Sequence, residues 1–378
     1  MLIFFLILIF LRPFISSLAF PYLNLFYSIL FLFFIILWIA CGKASLNKAG
    51  RLKYPLILFS AALILSLSFS VDKSASFREL YKYVSGLLLL IAAANMTRED
   101  GIRVIRAIVF SGLIISILAI YQFLFGFQNV MDYVAQHGIS DPFILDYINR
   151  GRVFLPFVSP NILAGYLIMV IPLAAADNKE PWLTIPLCAA LLLTRSIGAL
   201  ISICLALTIY FLILGRLKKK NAILLILILI IIASLFMIRS ASGKQHLQPA
   251  FSTLMRLNYW EDTLKIIARY PLAGIGIGNF TIINSRYAHN SYLQIWSEMG
   301  VLGIISFLWL AIAALKPMAG NNTGPRGDKI ISGLFIANTA FLLHNLLDFS
   351  FYLPEVSLIW WINLGLLTGF FHSRRQSA

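Results

Sequence analysis

The sequence predicts an all-α, polytopic transmembrane protein with about twelve spanning helices and a large polar loop carrying short amphipathic helices. Composition is the first reason. Of 378 residues, 60% are AVILMFWYC and only 12% are charged, whereas soluble domains average about 45–50% apolar and roughly 25% charged. Unbroken apolar runs are the second. Blocks 22–41 and 221–238 are interrupted only by Asn24, Ser28, Asn221 and Ser234, and such a block matches the ~20 residues that cross about 30 Å of hydrocarbon. The third is that the basic residues fall between such blocks. Together these exclude a soluble enzyme, a secreted disulfide scaffold and a disordered chain.

Taken in order, the apolar runs place spans at about 2–18, 22–41, 54–70, 80–96, 104–126, 157–176, 182–194, 197–215, 221–238, 291–315, 330–347 and 355–371. The start, MLIFFLILIF, lacks a basic n-region and an A-x-A site. It reads as a retained first span rather than a signal peptide. Arg12, Pro13 and Pro21 crowd the turn that follows it. Pro160 and Pro172 cap or kink the sixth span, and residues 1–378 read as one integral membrane domain without an accessory domain at the C-terminus.

Alternate connections then carry Lys43, Lys48, Arg51, Lys53, Arg98, Arg103, Arg106, Lys179, Arg216, Lys218, Lys219, Lys220, Lys316, Arg326, Lys329, Arg374 and Arg375. By the positive-inside rule this face is cytoplasmic and holds both termini. The formal net charge of +15 is thereby read as topology, with no nucleic-acid partner. The opposite face still holds twelve basic residues, eight of them arginine. Arginine presents a rigid fork of donors suited to phosphate oxygens, so this face is expected to meet an anionic ligand. Two long periplasmic loops, 127–156 and 239–290, lie there. Within the second, Leu254, Leu257, Trp260, Leu264, Ile266 and Ile267 recur at helical spacing before Pro271 and Gly274. This predicts an amphipathic helix, either lying on the bilayer surface or walling a site.

Several chemistries lack their signatures. There is no P-loop and no HExxH, and GIGIGNF (274–280) follows proline rather than a strand, which disfavours a dinucleotide fingerprint. Cys41, Cys188 and Cys204 are odd in number, sit in apolar stretches and form no CxxC, so neither a disulfide framework nor a zinc site is expected. The outer carboxylates are scattered, so no metal and no cofactor are expected. Mid-span positions are almost devoid of the ionisable residues that an ion-coupled transporter would place there.

One segment stands out: AHNSYLQIWSEMGVLGIISFLWL, 288–310. His289 precedes a helix start capped by Asn290 or Ser291. The positive end of the helix disfavours imidazolium, so His289 is expected to be neutral and able to accept a proton. A cap-region histidine without chemistry fits the same residues. His344 and Asp348, spaced i, i+4 near the outer end of a span, are either an acid–base pair or a self-satisfied polar pair.

His289-Asn290-Ser291-Tyr292-Leu293, with Glu298, Gly300 and Gly303, resembles the signature of the O-antigen ligase and polymerase superfamily. So do RVFLPFVSPNILAGYLIMVIPLA (152–174), LTRSIGALISI (193–203), RLNYWEDTLKIIARYPLAGIGIGNF (256–280) and HNLLDFSFYLPEVSLIWWINLGLL (344–367). These run in order over 152–367, an O-antigen ligase-like region. One position departs: the family's Ser-Arg-Gly-Ala reads Ser196-Ile197-Gly198-Ala199, with Arg195 nearby as a substitute.

The resemblance implies a metal-independent glycosyltransferase in the bacterial inner membrane, with its active site facing the periplasm. The donor would be an undecaprenyl-pyrophosphate-linked glycan and the acceptor a sugar hydroxyl on a lipid or glycan such as lipid A–core. His289 would be the general base. Arg256, Arg152, Arg286 and Arg195 would bind the pyrophosphate. A polymerase of the same superfamily fits the same motifs, and a lipid-linked glycan transporter fits less well.

Overall fold

A computed structural model describes residues 2–42, 46–136, 138, 142–177, 181–214, 219–240, 249–281, 285–316 and 328–376. Among these residues there is no β-strand, and fifteen α-helices carry the chain. They are α1 (Leu2–Leu11), α2 (Pro21–Gly42), α3 (Lys53–Ser68), α4 (Lys73–Ala94), α5 (Arg98–Tyr121), α6 (Phe127–Gln136), α7 (Pro142–Asn149) and α8 (Pro160–Asp177). There follow α9 (Thr184–Leu193), α10 (Ile197–Ile213), α11 (Lys219–Ser240), α12 (Pro249–Arg269), α13 (Ser291–Leu315), α14 (Lys329–His344) and α15 (Pro354–Gln376).

Each expected span overlaps a helix, the first only over Leu2–Leu11. Six helical stretches among the described residues are long and apolar enough to cross a membrane: Pro21–Cys41, Ala49–Ser68, Arg98–Gln136, Pro160–Asp177, Ser291–Leu315 and Pro354–Ser373. Five more are apolar but shorter, and α4 carries Lys73, Arg78, Glu79 and Lys82 in its first half. The protein is thus a helical, polytopic membrane protein. Lys43, Lys179, Arg216, Lys218, Arg326 and Lys244 lie outside the described residues.

Boundaries move where local chemistry dictates. The fourth helix starts at Lys73 rather than 80, because Asp72 caps it by accepting from the Ser74 and Ala75 amides at 2.8 and 3.2 Å. Helix α5 continues through a π turn at Gln122–Gly126 into α6, so 127–156 is largely helical. Gln122 Oε1 then accepts from Phe154 and Leu155 N–H, tying the end of that loop to the bundle. Pro160 opens α8, and Pro172 lies inside it.

Helix α15 is the hub, with 83% of its apolar window buried against 28% for the peripheral α2. Trp360 and Trp361 pack edge to face at 4.8 Å among Phe307, Phe341 and Phe351. Gly365 lets α15 lie directly on α4, since a Cβ there would collide with the Leu90 carbonyl. Small residues at such crossings permit the close backbone approach on which helix packing in lipid depends. Arg12 does not stand at a surface turn. It is fully buried, donates to Asn24 Oδ1 at 2.6 Å and meets Glu355 at 3.5 Å, pinning the first hairpin to α15.

Helix α13 breaks at Gly300 (φ 65°, ψ −168°), a conformation open essentially to glycine alone. The break frees backbone groups that an apolar setting cannot leave unpaired. The 271–280 loop supplies the partners. The amides of Ile275 and Gly276 donate to the carbonyls of Ser297 and Glu298 at 2.9 and 3.0 Å, and Val301 N–H donates to Pro271 O at 2.9 Å. The glycines of GIGIGNF therefore brace a broken helix, and Gly274 is required because a Cβ would strike the Glu298 carbonyl. This suture also fixes the exit of α12, and with it the approach of Arg256 to the start of α13.

Candidate active site

Arg152 leaves the turn that ends α7. Gly151 (φ 57°) lets the chain reverse there, and the Arg152 amide donates back to Tyr147 O at 2.9 Å. The buried guanidinium is aimed by the Thr194 carbonyl (2.9 Å), by Asn161 Oδ1 (3.0 Å) and by the Tyr147 ring 5.5 Å away. Ser196 Oγ donates to the same Asn161 oxygen at 3.0 Å. The start of α8 thus holds Arg152 and the start of α10 in one network.

The turn between α14 and α15 brings the opposite charge. Asp348 Oδ1 accepts from the Phe349 and Ser350 amides and from Ser350 Oγ, at 2.8, 3.0 and 2.6 Å. Its Oδ2 lies 3.8 Å from His344 Nε2, which is also 3.3 Å from the Asn161 carbonyl. Asn345 and the Asp348 carbonyl receive Ser291 Oγ at 2.7 and 3.1 Å, locking the first residue of α13 onto this turn.

Arg152, Asn161, Ser196, Arg256, His344 and Asp348 line one cavity of about 610 Å³. Its other walls are apolar, from Ile197 and Ile201 of α10, Leu229 to Met237 of α11, and Leu257 and Trp260 of α12. Burial pulls the Arg256 guanidinium below its ordinary pKa, an effect that Asp348 opposes. The cavity therefore joins two arginines, one carboxylate and an oily groove.

His289 abuts this set without lining the cavity. Its backbone is left-handed (φ 51°), and Asn290 is the cap, its Oδ1 accepting from Tyr292 and Leu293 N–H at 3.0 and 3.1 Å. The imidazole stacks on Tyr259 of α12 at 5.4 Å and meets Phe349 edge-on at 4.8 Å. Burial pushes its pKa down to about 4; Asp348 works against the shift and Arg256 adds to it. Removal from water is the main cause that favours the neutral ring, rather than the helix end.

The other two arginines go elsewhere. Arg195, also left-handed at φ 51°, donates Nη1 to Arg150 O at 2.5 Å and braces the turn that presents Arg152. Ile197, where the superfamily pattern has arginine, lines the cavity. Arg286 is exposed and close enough to Tyr287 for its charge to be felt there. Asn161 was not singled out in the sequence, and Ser196 was named only as the start of the Ser-Arg-Gly-Ala segment. The i, i+4 spacing of His344 and Asp348 was visible, but not their place beside the arginines. Among the described residues no three His, Cys, Asp or Glu side chains gather as a metal site would require.

These features define a polytopic helical membrane protein with an oily cavity lined by two arginines. Residues 182–308, about a third of the chain, match a family model described as O-antigen ligase, consistent with a member of the O-antigen ligase superfamily. The matched stretch contains Ser196–Ala199, Arg256, Arg286 and His289, whereas Arg152, His344 and Asp348 lie outside it. No curated protein matches the chain.

Proposed function

We propose that the protein is a metal-independent O-antigen ligase-type glycosyltransferase that moves a glycan from an undecaprenyl-pyrophosphate carrier to an acceptor sugar hydroxyl. The carrying observation is that Arg152 and Arg256 line one largely apolar cavity, with His289 close enough to feel the Arg256 charge. An amphiphilic diphosphate suits both halves of that cavity. The two forks would hold the diphosphate oxygens, and α10, α11 and α12 would wall the prenyl chain.

The acceptor oxygen attacks the anomeric carbon while His289 takes its proton. The bond from that carbon to the diphosphate oxygen breaks, and the charge gathering on the leaving group is met by Arg152 and Arg256. Asp348 keeps the arginines from facing each other uncompensated and orients His344. Arg195 acts through the Arg150 turn, and the exposed Arg286 adds charge on the approach to His289. In this reading the protein crosses the bacterial inner membrane about twelve times, both termini face the cytoplasm, and 127–156 and 239–290 face the periplasm with the site.

The polysaccharide profile of a deletion strain tests the reading. Loss of a ligase leaves bare acceptor and full-length polymer on its carrier. Acceptor capped by single repeats would mark a polymerase using the same chemistry. Unchanged surface glycan and unchanged carrier pools would reject both.

A further inference from the structure

A second cavity, of about 630 Å³, lies between α8, α9, α10, α11 and α14. Its lining is almost wholly apolar, with Leu200, Leu207 and Ile228 typical of its walls. Its polar side chains are Lys329 and Ser332, from the first turn of α14, and Tyr210 of α10. Leu192 of α9 and Ile231 of α11 line the cavity and are themselves 40% and 37% exposed, so it opens sideways between those helices.

Among the described residues no carboxylate pairs with Lys329. Asp328, the nearest carboxylate in sequence, accepts from the Ile330 and Ile331 amides at 3.1 and 3.3 Å and pairs with Arg98 at 2.7 Å. Tyr210 Oη donates to Ser332 Oγ at 2.9 Å, placing a hydroxyl pair one helical turn from the exposed Lys329. Lys329 and His344 are the first and last residues of α14, about 22 Å apart at a rise of ~1.5 Å per residue. The two cavities thus present cationic groups at opposite ends of one helix. A prenyl chain reaching down from Arg152 and Arg256 would bring no charge to Lys329.

We infer that this cavity is a separate site for an anionic phospholipid, whose acyl chains fill the space beneath α11 and whose phosphate meets Lys329. The inference does not rest on glycan transfer. Only the leaflet does: with the proposed topology it is the cytoplasmic one, where anionic headgroups are drawn to lysines.

The test is native mass spectrometry of the delipidated full-length protein, titrated with phosphatidylglycerol or with phosphatidylcholine of identical chains. One lysine at an anionic interface is worth about fivefold in retention. Phosphatidylglycerol should be favoured by that factor, and Lys329→Ala should abolish the preference. Leu207→Trp, which fills the cavity, should lower retention of both lipids. If that variant does not fold, Lys329→Ala decides alone. Arg256→Ala should leave the preference intact while weakening retention of polyprenyl pyrophosphate, so that failure of the donor site and of this one can be told apart. Equal retention of the two lipids would overturn the inference, as would a preference that survives Lys329→Ala. So would one-for-one displacement of phosphatidylglycerol by polyprenyl pyrophosphate, which would assign the cavity to the donor's tail.

Discussion

Replacing Arg256 by lysine keeps a cation in the cavity but removes the flat two-pronged donor. The guanidinium is partly withdrawn from water, lies within electrostatic reach of Asp348 and His289, and lines the same cavity as Arg152. A hydrogen bond to a charged partner is worth about 1.5–3 kcal/mol, and lysine forfeits one of the two made to a diphosphate. With ~1.4 kcal/mol per tenfold, Arg256→Lys should lower kcat/KM by about 10- to 150-fold. Arg256→Ala forfeits both bonds and should fall further. It also removes the cation that disfavours imidazolium at His289 and leaves Asp348, which favours it. The pKa of His289 should therefore rise from about 4 toward its ordinary value, carrying the acid limb of kcat/KM upward with it. The assay is glycan transfer by purified protein in liposomes containing the lipid-linked donor, across pH 4–8 as a rough range. Wild-type kcat/KM in both variants at normal membrane levels would take Arg256 out of the site. Loss of activity with an unmoved acid limb would refute its coupling to His289.

Two further expectations concern the fold. Gly300→Ala places a Cβ on the Leu272 carbonyl at φ 65° and should destabilise the protein by about 2–5 kcal/mol, read as a lower melting temperature in detergent; an unchanged melting temperature would mean that α13 is not broken there. The half-buried His289 binds its proton less readily folded than unfolded, so its contribution to stability is complete above about pH 6.5. It is lost as pH falls toward about 4, and His289→Asn should remove that part of the acid destabilisation measured by thermal melts.

Much of the fold was legible because lipid imposes a simple grammar. A run such as 221–238 has no alternative to helix in hydrocarbon, and the α12 helix and the Asn290 cap were readable from spacing and side-chain chemistry, although Leu254, Leu257 and Leu264 of the α12 stripe stay exposed. What the sequence concealed is tertiary. Nothing local says that the Ser196 hydroxyl and the Arg152 guanidinium share Asn161, or that Asp348 stands beside Arg256, since these pairs span tens of residues or more. The glycines of 274–278 were visible but mute, because their purpose lies in the backbone of a helix that begins only at Ser291. Arg195 and Arg286 show the converse limit. A count of outward arginines ranks them with Arg152 and Arg256, and only contacts separate a guanidinium on the Arg150 carbonyl from one facing a cavity.

The chemistry turns on whether His289 takes the acceptor's proton or simply occupies the start of α13. Asparagine fits left-handed backbone, so His289→Asn keeps the φ 51° turn that leads into the Asn290 cap while removing the base. In the reconstituted transfer assay, His289→Asn should bind the lipid-linked donor as the unaltered protein does yet transfer glycan about 10²–10⁴-fold more slowly. Transfer by His289→Asn at the unaltered rate would contradict the assignment and leave the base to be sought at His344.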